Sequence, residues 1–536
     1  MEQLPLDVGR WLLALSPIVL LLLLLAVLRW KAPQAGPVGM FFGAAIALLF
    51  FATPFDTLAV AVGKGVWDAV PILFVVWPAL LLYRMGTAAG AFEALRRGIA
   101  RFSKDEVFLV LGFGWVFASF LQGIAGFGAP IAVVAPLLVA LGVRPVYAVV
   151  IPLVGHAWAN MFGTLAVGWL ATLQVVDIED ETLTAVQTAL LLWIPTFAGA
   201  LFIAWMVGRW QGVRHALPMI GVIGFVHGAV QLALMPVSPV LSTFVASAVG
   251  LLLLFPLAKW SRYASPTELE QRPAMREDAD LSADEDSEPT MGLGWAAAPY
   301  AALTVVAVGT LVIGPLESLL ARVAVGLPFP EVTTGFEVTQ EAEDSYAPFE
   351  PLVHPGAFLL VATAVAYLLY RRQGFFAARA EEQGPQSILG STTADAVPAS
   401  IAIVSFLVLA KLLDHSGQTE VLALGIAEVA PAPVFAFLSV FIGVLGAFMT
   451  SSNTASNVLF TPLQVGVAGA EGLGQSGVIA AQSTGGALGN AIAPANIVLG
   501  TSTAGASGQE GAVLRKTLPW TLAVSALAGV VTLFLV

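Results

Sequence analysis

Residues 450–457 read Thr450-Ser451-Ser452-Asn453-Thr454-Ala455-Ser456-Asn457, set between the almost uncharged run Val434–Met449 and a resumed apolar run, Val458–Val467. Small hydroxyl and amide residues cannot cross lipid as ordinary loop, because their backbone N–H and C=O groups would go unpaired. Irregular chain at membrane depth survives only where protein or a water-filled cavity satisfies it. The stretch therefore reads either as a buried binding site between two half-helices or as a surface loop between two short helices.

Composition bears on the choice. Hydrophobic residues make up 58% of the 536-residue chain and charged residues 11%, against roughly 25% charged in soluble proteins. With several apolar runs near the ~20 residues that span a bilayer, the expected class is an all-α polytopic membrane protein at the cell membrane. There is no cysteine, which excludes disulfides, thiolate metal sites and cysteine nucleophiles. No metal site or cofactor is expected. Leu12–Leu28 is followed by Arg29 and Lys31 without a small-residue cleavage site, and reads as a retained first span. The net charge of −12 sits in loops, notably Asp177–Glu181 and Glu331–Glu350. Nothing is basic enough to bind nucleic acid.

The longer apolar runs give about 12 transmembrane helices: Trp11–Leu28, Val38–Phe51, Ala69–Tyr83, Val146–Leu170, Gln187–Val207, Ala216–Leu234, Val240–Ala258, Trp295–Ile313, Val353–Tyr370, Val397–Leu413, Gln475–Val498 and Leu518–Val536. Two pairs of shorter runs, Val107–Leu121 with Ile131–Leu141 and Val434–Met449 with Val458–Val467, read as re-entrant hairpins. If each hairpin enters and leaves on one side, Arg29/Lys31, Arg96/Arg97/Arg101/Lys104, Arg144, Arg209/Arg214, Lys259/Arg262, Arg371/Arg372 and Arg515/Lys516 share one face. The acidic loops then share the other, and the positive-inside rule puts both termini outside. The segments Ser261–Pro289 and Arg372–Thr393 read as disordered joins.

The chain also repeats itself. Asp68-Ala69-Val70-Pro71 recurs as Asp395-Ala396-Val397-Pro398, an offset of 327 residues. At that offset Arg84 falls on Lys411, Gly90 on Gly417, Glu93 on Glu420 and Gly98-Ile99-Ala100 on Gly425-Ile426-Ala427. The polar stretch 450–457 falls on Gly123–Pro130. An odd number of crossings separates the copies, which predicts two inverted structural repeats, the architecture of secondary transporters. Asp-Ala-Val-Pro taken alone reads as a helix start, with Asp as cap. The expected division is N-terminal helices over 1–67 and a first repeat half over 68–258 with its hairpin at 107–141. An acidic cytoplasmic linker 259–294 and connecting helices with an acidic external loop, 295–394, lead to the second half, 395–536, with its hairpin at 434–467.

A second interruption follows each hairpin, at His156–Thr164 and at Gln482–Asn496. Gly, Asn and Pro there suit either a helix that unwinds to expose N–H groups or close packing through small residues.

At these residues the chain resembles the L-lactate permease family, through Gly126-Phe127-Gly128-Ala129-Pro130, Ser451–Phe460 and Thr484-Gly485-Gly486. The resemblance implies a carrier of lactate or glycolate with protons. Ser452-Asn453-Thr454 is also similar to the Ser-Asn-Thr signature of the wider ion-transporter superfamily, whose hairpin tips contact carboxylate and cation. One position departs: Asn453 stands where the family commonly has Asp, and Asn cannot titrate.

The expected substrate site comprises Gly126, Phe127, Gly128, His156, Asn160, Ser451, Ser452, Asn453, Thr454, Asn457, Thr484, Gly485 and Asn490, with the two tips facing each other. Ser452 and Thr454 hold the carboxylate; Asn453, Asn457 and Asn490 orient the hydroxyl. His156 is the candidate proton carrier, His227 is structural, and Asp414-His415 is read as solvated surface. The partners expected are a small carboxylate, H+ or Na+, and lipid; the oligomeric state is open. A sodium/proton antiporter on the same scaffold is the alternative, disfavoured because no Asp or Glu is expected at the centre of a span.

Overall fold

A computed structural model describes residues 7–28, 30–100, 103–126, 128–276, 291–383 and 387–536. Apolar residues in these helices turn toward one another or toward the surroundings, with polar side chains drawn inward. That is the arrangement for a chain whose solvent is lipid. Eight helices among the described residues are long and apolar enough to cross a bilayer.

The chain opens with α1 (Val8–Leu22), α2 (Ala32–Phe50) and the long α3 (Phe55–Ala89). Gly90, in the left-handed region at φ 79°, ends α3 and leads into α4 (Ala91–Ala100). Next come α5 (Glu106–Leu111) and α6 (Ala118–Ile124), one apolar span with a π-helical turn between them. Pro130 in its first turn starts α7 (Ala129–Ala140), and Pro145 starts α8 (Pro145–Gly155). A break leads to α9 (Gly163–Leu173). Beyond it lie α10 (Glu181–Leu234), kinked at Gly208-Arg209, then α11 (Pro239–Ala258) and the short α12 (Ser261–Ala264).

The second half begins with α13 (Leu293–Val312) and α14 (Gly314–Leu320). Strands β1 (Val325–Phe329), β2 (Val332–Thr333), β3 (Thr339–Gln340) and β4 (Glu343–Phe349) follow, with β1 antiparallel to β4 and β2 to β3. Then come α15 (Pro355–Arg372), α16 (Phe375–Gln383), α17 (Ile388–His415) and α18 (Gln418–Val429). The chain closes with α19 (Ala432–Thr450), α20 (Asn453–Glu471), α21 (Gln475–Gly489), α22 (Pro494–Thr503) and α23 (Glu510–Thr532).

Several expectations need correction. The fold is not all-α, because residues 325–349 pair as strands; alternating Val, Thr and Tyr between turn residues favours this. The segment after Arg372 is not a disordered join, since α16 and α17 fill most of it. The described part of 261–289 folds back: Arg144 Nε donates to Met275 O at 3.0 Å, and Arg272 pairs with Glu106. Residues 277–290 lie outside the described residues. The largest correction concerns Asp68 and Asp395. Neither caps a helix: α3 begins at Phe55 and α17 at Ile388, so both acids are interior to long apolar helices.

Helices α3 and α17 pack in opposite directions along their length. Lys411 Nζ lies 3.4 Å from Asp68 Oδ2, Trp77 Nε1 donates to Ser400 Oγ at 3.0 Å, and Arg84 Nε donates to Asp395 Oδ2 at 2.8 Å. The acidic segments meet at the Lys64 end of α3, where Asp177, Glu337 and Glu350 line one cavity. The first and last described residues lie there too. Asp7 caps α1, and its hydrogen bond from the Arg10 backbone holds its carboxyl below the usual range. The Arg10 guanidinium sits over the Phe336 ring, while Val536 lies against Gly474.

Candidate functional site

The break between α19 and α20 is narrower than the polar stretch. Ser451 takes a left-handed conformation (φ 57°, ψ 29°) and Ser452 is the N-cap, its hydroxyl accepting from Ala455 N at 3.2 Å. Asn453–Asn457 are therefore the first turns of α20, not a gap. The other hairpin turns in the same manner, with Gly128 left-handed at φ 86° before α7. Phe127 lies outside the described residues.

The N-termini of α7 and α20 converge on a cavity of about 80 Å³. It is lined by Gly128 and Ile131 from one tip and by Ser451, Ser452, Asn453 and Thr454 from the other. His156, Asn160, Gly163, Thr164, Gln122, Asn490 and Asn496 complete it, with Val167 and Gly168. No Asp, Glu, Lys or Arg is among them. An anion held here is held by helix N-termini, amides and hydroxyls; free N–H groups in a first turn carry partial positive charge toward it.

The surrounding backbone is strained. Thr164, Leu165 and Ala166 are all left-handed (φ 51°, 50°, 61°) within α9, a conformation unfavourable for residues with a Cβ and typical of functional sites. Thr164 Oγ1 accepts from Gly126 N at 2.7 Å, tying the first tip to this break. Asn160 Nδ2 donates to Ala487 O at 3.0 Å, linking the break after α8 to the end of α21. His156 Nδ1 contacts Pro152 O, and no hydrogen bond to Nε2 is formed among the described residues.

Of the residues expected to form the site, Gly128, His156, Asn160, Ser451, Ser452, Asn453, Thr454 and Asn490 line this chamber. Gly126, Asn457, Thr484 and Gly485 do not. Asn457 lies one helical turn behind Asn453, where its Nδ2 donates to Thr172 Oγ1 (3.0 Å) and Ser483 Oγ (3.2 Å). Thr484 and Gly485 lie within α21, which runs unbroken to Gly489; the interruption there is confined to 490–493. Gly485 lets α21 touch the backbone of α19 at Val440, so it serves packing. His227, outside the chamber lining, stacks on Trp158 with ring centroids 4.7 Å apart. Gln122 was not anticipated; one amide in an otherwise apolar run, just before Gly123, is its signal.

Asn453 is closely packed but sparsely hydrogen-bonded. Its Nδ2 lies 3.6 Å from Met161 Sδ, its buried Oδ1 has no partner among the described residues, and it fits only because position 486 lacks a Cβ.

Among the described residues, the chamber shares part of its lining with a wider space. Gly128, Ser451, Ser452 and Asn496 also line a vestibule of about 420 Å³ that reaches Tyr83, Arg84 and Asp395. Near the opposite end of α3 lies the acidic cavity of about 1350 Å³, lined by Lys64, Lys411, Asp414, His415 and His354. Asp414-His415 is thus not simple surface: His415 is buried. Nor are the spans free of central carboxylates, because Asp68 is fully buried within α3.

Comparison with known proteins gives a consistent match. The sequence profile described as L-lactate permease matches residues 10–536. The glycolate permease GlcA of Escherichia coli K12 is 28% identical over 97% of this chain and 95% of that protein. The L-lactate permease of Halalkalibacterium halodurans is 28% identical, covering 97% and 96%. That of Escherichia coli K12 is 28% identical, covering 97% and 95%.

Proposed function

Because the chain belongs to the L-lactate permease family, we propose that it imports a small 2-hydroxy monocarboxylate, L-lactate or glycolate, together with protons. The observation that carries this reading is the convergence of two half-helix N-termini on a small chamber with no fixed charge. A carboxylate fits the N–H groups and hydroxyls at Ser452 and Thr454, and the substrate hydroxyl fits Asn453, Asn490 and His156 Nε2. His156 is the titratable group of the chamber and so our candidate there for proton transfer.

Alternating access supplies the mechanism. Among the described residues the chamber shares lining with the Arg84 vestibule and none with the acidic cavity, which supports reading this conformation as open to one side. Two oppositely oriented repeats, rocking about the α3–α17 contact, would expose the same chamber to the other side. The positive-inside rule makes the acidic end external, with both termini.

A cation antiporter on this scaffold regains support from Asp68, whose position removes the objection that no carboxylate lies within a span. One experiment separates the readings: uptake of labelled L-lactate and glycolate into proteoliposomes, with pH and sodium gradients imposed separately. A pH gradient, acidic outside, drives accumulation of one or both acids. No uptake of either acid under either gradient removes the proposed function.

A further inference from the structure

Beyond the substrate chamber, α3 and α17 carry a buried charge cluster to which nothing so far gives a role. Asp68 is fully buried, and its Oδ2 accepts from the Tyr346 hydroxyl at 3.0 Å and lies 3.4 Å from Lys411 Nζ. Its second oxygen, Oδ1, is buried and has no hydrogen-bond partner among the described residues. Lys64, one turn earlier on α3, pairs with Glu343 at 2.8 Å, and both ammonium groups face the Tyr346 ring, at 4.7 Å and 5.4 Å. On α17, Asp414 Oδ2 lies 3.4 Å from His415 Nδ1. Helix α9, also packed on α3, contributes no titratable group, and α15 contributes at this end only its capping His354.

A carboxylate in a membrane helix is costly and marks an ion or proton path by default. We infer that Asp68 takes up the proton that drives transport. This rests on the proposed function above. Lys411 and Tyr346, which hold Oδ2, line the acidic cavity; water that passes them from that cavity delivers the proton, and Oδ1 receives it. Asp68 becomes neutral, and Lys411 loses its counter-charge while keeping the Tyr346 ring. Release to the other side restores the pair. The cavity suits this supply: Asp177, Glu337, Glu350 and Glu420 line it along with the paired acids, and acid-lined walls raise the local concentration of cations. The chemistry favours H+ over Na+. A sodium ion needs several converging oxygens, whereas here the Lys411 ammonium already lies against the one carboxylate; a proton needs a single lone pair.

The cluster is also placed to report its state. Helix α3 packs on α9, which carries Thr164, and α17 packs on α20, which carries Asn453. Losing the Asp68 charge loosens the contact between the two helices that back the chamber walls.

The test uses the reconstituted full-length protein and the acid that the wild type transports. Asp68→Asn is expected to lose accumulation driven by a pH gradient but to retain exchange of labelled for unlabelled substrate. Asp68→Glu is expected to recover part of the driven accumulation. Asn453→Ala is expected to lose both activities, which separates failure of the chamber from failure of coupling. If Asp68→Asn also loses exchange, the charge-balanced double variant Asp68→Asn/Lys411→Gln decides: exchange without accumulation supports the inference, and a monodisperse protein with neither overturns it. Driven accumulation persisting in Asp68→Asn, or wild-type uptake driven by sodium alone, also overturns it. An infrared titration gives a readout independent of substrate: a protonated-carboxyl band that grows as pH falls, shifts in Asp68→Glu and is missing in Asp68→Asn. With no wild-type uptake but that band present, the proposed function fails and the proton site stands; with the band unchanged in Asp68→Asn, the site fails.

Discussion

Asp68 of α3 pairs with Lys411 of α17, and Asp395 of α17 pairs with Arg84 of α3, so the same contact is made twice with the two helices exchanging roles. The pairs stand about 24 Å apart along α3, at a rise of about 1.5 Å per residue. One adjoins the acidic cavity and the other lines the vestibule that opens on the chamber. The repeated Asp-Ala-Val-Pro and the Arg84/Lys411 correspondence in the sequence are the two halves of this arrangement.

The pairs differ in burial, and their removal should differ accordingly. Lys411→Met leaves the fully buried Asp68 without its cation and is expected to cost about 3–5 kcal/mol. Arg84→Gln breaks a pair whose side chains are 32% and 36% exposed, and is expected to cost about 1 kcal/mol or less. Unfolding midpoints of the purified variants in detergent check the ranking.

Adjacent glycines of α21 should fail in different ways. A Cβ at Gly485 meets the Val440 backbone, which cannot retreat without moving α19, so Gly485→Ala is expected to destabilise by about 1–3 kcal/mol. A Cβ at Gly486 meets the end of the Asn453 side chain. Gly486→Ala is expected to displace that amide and raise the KM for uptake, with a smaller change in stability. Thermal unfolding and uptake measured on both variants separate the two effects.

Thr164→Val removes the acceptor for Gly126 N. A buried N–H left unpaired costs about 1–3 kcal/mol, and the first tip loses its tie to the α9 break. The variant is expected to transport with a raised KM, and Thr164→Ser to stay close to wild type. Initial uptake rates over a range of substrate concentrations check this.

Much of the membrane architecture was legible because lipid leaves few alternatives: long apolar runs must be helices, and an uncharged polar stretch inside them must be satisfied by protein. The bounds of the break were not. Ser452 caps and the helix resumes at Asn453, so Asn457 falls on the same face one turn further along the axis, behind Asn453 and out of the chamber. Polar composition alone does not distinguish the two. Asp68 was misread for a related reason. Asp-Ala-Val-Pro has the chemistry of a helix start, but Lys411 and Tyr346, distant in sequence, make a buried carboxylate tolerable inside α3. The strands at 325–349 were hidden by their acidity, which marks a loop as readily as a hairpin.

The chain has no cysteine, so a single introduced thiol reports without background. Ser451 stands where the vestibule meets the chamber. In an active Ser451→Cys variant, a membrane-impermeant thiol reagent should react from the side that carries Arg84, and saturating L-lactate or glycolate should slow that reaction. Labelling that proceeds at the same rate with and without a substrate the variant transports would contradict a chamber between the two tips.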